Sequence, residues 1–150
     1  MGIINIIRNV KQIHPEDVVL VSVGNFYYSY GKDAYILSYI FKYKLMKIKD
    51  FDIFSCAFPK QSFPKITAQL ENNKINYIIV DRRNNYEVQE KSENKNLNTY
   101  KKWLEKSQKY FSVKIRIDNI YDYIIKHIED DDVKEKIKKM EQIINETGKI

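Results

Sequence analysis

One cysteine, Cys56, stands among 150 residues, so no internal disulfide can form, which suits a reducing cytoplasm. Histidine is nearly as scarce. His14 and His127 lie more than a hundred residues apart, too few ligands at too wide a spacing for a metal site. Long apolar runs are also missing. The longest, at 18–23 and 77–80, fall far short of the roughly 20 residues that a membrane-spanning helix needs, so no membrane association is expected. The start, Met1-Gly2-Ile3-Ile4-Asn5, lacks the basic region and small-residue cleavage site of a secretory signal. Ile6 stands where a myristoylation motif requires Ser or Thr. The expected location is the cytoplasm.

A phosphate-binding loop is absent as well. The nearest segment, 24–33, places six residues between Gly24 and Gly31 where the motif has four, and Asp33 follows Lys32 where a magnesium-binding Ser or Thr is needed. Bulky Phe and Tyr fill the interval, where a backbone cradle favours small residues. These features speak against ATP hydrolysis; no cofactor and no catalytic activity are expected. Cys56 lies in an apolar alternating run, the setting of a buried structural thiol and not of a nucleophile. The acidic run Asp130-Asp131-Asp132 lacks the other oxygen ligands and the glycine of a calcium loop, and suits a helix start. Asp81, at the end of an apolar run, has as its simplest role pairing with Arg82 or Arg83 or capping a turn.

What the chain does have is enough apolar residue, 43%, to bury a real core, and a charge of +6 that is unevenly spread. Residues 1–110 hold 18 Lys and Arg against 11 Asp and Glu, a surplus of seven; residues 111–150 hold 8 against 9. A basic surface attracts polyanions and makes nucleic acid the natural partner to test.

Periodicity divides the chain into elements. Ile3, Ile6, Ile7, Val10 and Ile13 form the stripe of a helix that stops before Pro15. Residues 17–23 read as a central strand covered on both faces, and Gly24 and Gly31 bracket a loop rich in aromatics. Asp33 offers an N-cap for a helix to about Tyr43. One or two strands follow at 44–57, and around their start Lys42, Lys44, Lys47 and Lys49 alternate as edge-strand lysines do. A helix from about 62 to 72, a buried strand at 75–81 and an edge strand at 86–88 complete the pattern. Residues 90–96 read as a polar loop. From Leu97 the pattern is helical, with breaks near Ser112 and at 130–132, and a last helix at about 132–146 carries the stripe Val133, Ile137, Met140, Ile144. The fold class is therefore α/β, a mixed β-sheet flanked by helices, over residues 1–92, with a helical extension over 93–150 packing on it or on a partner.

Two blocks carry a family resemblance. Residues 17–34, with the hydrophobic strand, Gly24-Asn25-Phe26-Tyr27-Tyr28, a further aromatic and Asp33-Ala34, resemble the first strand and recognition loop of MutS domain I. Family members carry Gly-Asp-Phe-Tyr-Glu there. Ala57-Phe58-Pro59, the helix to Leu70 and residues 75–81 resemble the family's Gly-Ile-Pro turn, helix and strand. The resemblance covers about residues 5–90 and nothing of the family's connector, lever, clamp or ATPase domains. It implies a module that binds mismatched or distorted duplex DNA: the loop phenylalanine, here Phe26, wedges into the minor groove and stacks on a mispaired base, while the glutamate two residues on bonds to that base. Tyr28 stands in the glutamate's place, so the contact that selects a mispaired base is altered. Lys32, Arg82 and Arg83 are the candidate backbone contacts. The competing account packs the four aromatics under the loop, which is favoured for Tyr27. In the alternative function the wedge has become a protein-binding patch on a MutS-like fold, with a homodimer or protein partner held through the C-terminal helices.

Overall fold

The computed structural model describes residues 2–91 and 99–148. Helix α1 (Ile3–Ile13) buries Ile4 and Ile7 and ends where the His14 amide bonds to the Val10 carbonyl, just ahead of Pro15. Strand β1 (Val18–Val23) follows; it is buried from Val18 to Ser22. Here the aromatic segment departs from expectation. It is not a loop. Gly24, at a φ of +58° that glycine adopts without strain, and Asn25 turn the chain directly into a second strand, β2 (Phe26–Tyr30), paired antiparallel with β1 in the register Val23 to Phe26. Aromatic residues favour strands, and the alternation was hidden because both faces carry rings.

Gly31 then opens α2 (Lys32–Phe41), and the left-handed Lys42 ends it two residues before Tyr43. Short β3 (Met46–Lys47) and longer β4 (Phe54–Pro59) form the expected pair of strands, of which only Lys47 among the four alternating lysines lies in the edge strand. Helix α3 (Phe63–Asn72), strand β5 (Tyr77–Asp81) and strand β6 (Val88–Lys91) complete the sheet. Its order is β3-β4-β2-β1-β5-β6. The β1–β5 pair is parallel and all others are antiparallel, so the sheet is mixed.

Because side chains alternate along a strand, the sheet has two cores. On one face Val18, Leu20, Tyr77 and Ile79 pack with Ala34, Ile36, Leu37, Ile66, Leu70 and Phe58 under α2 and α3. On the other, Val19, Val21, Ile78 and Val80 pack under Ile7 of α1. Asp33 is not the cap of α2. Its carboxylate is buried and accepts from the Val19 amide (3.0 Å), the Lys11 ammonium (2.9 Å) and the Tyr100 hydroxyl (2.5 Å), joining α1, β1 and α2 to the helix that follows.

That helix, α4 (Thr99–Lys126), runs without interruption through Ser112, because no residue there breaks the ladder and the apolar spacing continues. The chain divides into two compact units, Met1–Tyr110 and Phe111–Ile150. The first unit thus extends past the expected limit at 92: Tyr100, Trp103 and Leu104 belong to the core of the sheet domain. The second holds the rest of α4 and helix α5 (Asp131–Gly148), whose first turn carries Asp131 and Asp132 against the positive end of the helix dipole. Of its expected stripe Val133 is fully buried, Ile137 and Met140 partly, and Ile144 is exposed. Most of the polar loop expected at 90–96 lies outside the described residues.

Candidate nucleic-acid interface

Strand direction decides which residues meet. The parallel strands β1 and β5 both finish at the same end of the sheet, β4 also ends there, and β2 begins there. This end therefore gathers Phe26, the residues after β4 and the turn after β5. Phe26 pairs with Val23 on one side and Pro59 on the other, and the Lys60 amide bonds to the Asn25 carbonyl (2.9 Å), which fixes the hairpin tip. Despite this support the Phe26 ring is 43% exposed.

Phe26, Tyr28 and Tyr30 share one face of β2. Their rings follow one another at 6.3 and 6.4 Å between centroids, the last two nearly parallel at 15°. Tyr28 and Tyr30 are half-buried against the core under α1, so the row is anchored at one end and free at Phe26. Burial pushes the Tyr30 hydroxyl up to about 12, with Tyr28 and Tyr86 adding to the rise and the Arg82 charge opposing it. Tyr27 points the other way and packs on Phe58 and Phe63, as expected of it.

The two arginines differ. Asp81 accepts from the Arg83 amide (2.8 Å) and from its guanidinium (3.3 Å), capping the turn after β5, and these bonds hold its carboxyl below the usual range. Arg83 is anchored yet exposed; Arg82 is exposed. Lys60, with its ammonium 5.3 Å from the Tyr27 ring centroid and so on the face opposite Phe26, adds a cation at this end that the sequence reading missed, although it directly follows the Phe58-Pro59 block. Lys32 is not brought here. It follows the far end of β2, whose span from Phe26 to Tyr30 is roughly 13 Å by strand rise, and lies beside Arg8 and Tyr30 in a groove along α1.

Burial also pushes the Cys56 thiol up to about 12, which suits an inert core residue. His14 and His127 each lean on a carboxylate three positions on, Asp17 at 3.2 Å and Asp130 at 3.1 Å. Among the described residues no group of three or more His, Cys, Asp or Glu is placed to hold a metal, and no helix is long and apolar enough to cross a membrane.

A mixed sheet flanked by helices, with an aromatic row that ends in an exposed phenylalanine, defines a small α/β domain. Residues 2–103 match MutS domain I, and the chain belongs to that family. It thus carries a module of the DNA mismatch-recognition kind. The match ends within α4, before the second unit begins. No curated protein matches the chain.

Proposed function

We propose that this chain binds duplex DNA at mismatched or otherwise distorted steps, inserting Phe26 at an unstacked step without ATP and without catalysis, in the cytoplasm. The observation that carries this reading is the exposed ring of Phe26 on a hairpin tip held from both sides, at the end of the sheet where Lys60 follows β4 and Arg82 and Arg83 follow β5. A wedge must keep its shape while it separates bases, and a two-sided strand pairing supplies that stiffness. A mispaired step costs less to unstack, so the wedge itself favours deformable DNA. The cations take the flanking phosphates. Tyr28 sits behind Phe26 and supports its ring, where the family's glutamate would reach for the base.

The competing reading, a protein-binding patch, is favoured by that same replacement of an anionic acceptor by a half-buried tyrosine. Titration of mismatched, bulged and paired oligonucleotides separates the two. Phe26→Ala should weaken binding to mismatched or bulged duplex by about 1–3 kcal/mol and leave the salt dependence nearly unchanged, since stacking releases no counterions. Tyr28→Glu should raise the preference for mismatched over paired duplex. Unchanged DNA affinities for Phe26→Ala would sink the wedge.

A further inference from the structure

The second unit exposes far more apolar side chain than a solvated helix pair requires. Ten large apolar residues of 111–150 are between 39% and 62% exposed. In α4, Val113, Ile117 and Ile120 are among them, and Ile124 is partly exposed. Their spacing is four, three, four, the seam of a coiled coil. Helix α5 does not cover it. Lys136 lies over the Tyr123 ring at 5.9 Å and Val133 is buried, so the start of α5 packs near the end of α4 and leaves that row exposed.

We infer that this row of α4 is a homodimerisation element and that its occupant is a second copy of the chain. A two-fold contact must be complementary to itself, and a spacing of four, three, four reads the same in both directions. Two antiparallel copies of α4 thereby set Val113 against Ile124 and Ile117 against Ile120, and then the same pairs in reverse. Charge agrees. With nine acidic and eight basic residues, units 111–150 approach without net repulsion, whereas they offer DNA none of the attraction that 1–110 provides. Val113, Ile117, Ile120, Tyr121, Ile125 and Ile128, half-exposed along one side of α4, together offer on the order of several hundred Å² towards the roughly 800 Å² per partner of a stable interface. The product is a pair of antiparallel α4 helices bearing two copies of the Phe26 site. This inference stands apart from the DNA reading, since no nucleic acid enters its test.

Sedimentation of the full chain at tens of micromolar should give twice the chain mass. Ile117→Lys and Ile120→Glu, each alone, should sediment as monomers with an unchanged helical circular dichroism signal. Mixed, they should recover a dimer, because one Lys then faces one Glu across the antiparallel seam. A monomeric wild-type chain, variants that both remain dimeric, or a mixture that fails to pair overturns the proposal. If a variant does not fold, the wild type still decides the matter: its melting temperature must rise with protein concentration, and a concentration-independent value refutes dimerisation.

Discussion

Asp33 holds more of this domain together than any other polar residue described. A carboxylate taken out of water is tolerated only when its lone pairs are satisfied, and here a backbone amide, an ammonium and a phenol do so from three different elements. The Tyr100 hydroxyl is pushed well above its ordinary range by burial and by that carboxylate, so it stays a donor. Asp33→Ala would leave the Val19 amide and the Tyr100 hydroxyl unpaired inside the core. Such a loss should lower stability by about 3–5 kcal/mol in urea unfolding, with Tyr100→Phe costing only about 1 kcal/mol. A loss under about 1 kcal/mol for Asp33→Ala would show that water replaces the carboxylate, against the premise of a dry site. Nothing local in the sequence announces this role. Asp33 after Gly31-Lys32 has the signature of a cap, and its partners lie 22 and 67 positions away.

In the sheet, strands and helices were legible wherever burial imposed a single period. The helix 3–13 and the apolar runs of β1 and β5 were plain, since one stripe or one β-branched run suffices to specify each. Ile13, expected in the first stripe, is 75% exposed at the last position of α1. Strand β2 was read as a loop because Phe26 to Tyr28 put rings on both faces and erased the alternation. The wedge residue itself was legible through the family pattern, but the company it keeps was not: Lys60 joins it and Lys32 does not, a matter of strand direction alone. Buried ionisable groups give the sheet a measurable pH limit. Cys56 of β4 and Tyr30 of β2 ionise near 12 when folded, against 9.0 and 10.0 for the free groups. As pH rises above 9 the unfolded chain loses these protons first, so the stability present below pH 9 drains away towards pH 12. The urea midpoint should fall steadily through this window, and Cys56→Ala should flatten the fall; a midpoint unaffected by pH would mean that the two groups are open to solvent.

Across the whole molecule charge and apolar surface are segregated, the basic surplus in residues 1–110 and the exposed apolar side chains most numerous in 111–150. Duplex affinity should therefore fall with salt through cations of the first unit. Arg82→Ala, which removes an arginine not bound to Asp81, should weaken paired and mismatched duplex alike and reduce the slope of log affinity on log salt by about one. Arg83→Ala should change the slope less, because its charge is already partly neutralised by Asp81. Equal slopes for Arg82→Ala and the wild type would remove Arg82 from the interface. The reach of Tyr100 back to Asp33 also sets an order of assembly on a chain that emerges from its N-terminus. The β1–β2 hairpin closes across two residues and can form as soon as it is made. The parallel β1–β5 pair waits for residue 81, and Asp33 waits for residue 100. Until then a nascent chain carries an open core and a carboxylate without its phenol. A chain arrested at about residue 95 thus holds every strand of the sheet yet lacks the phenol that closes over Asp33, and it should unfold at lower urea than the full chain.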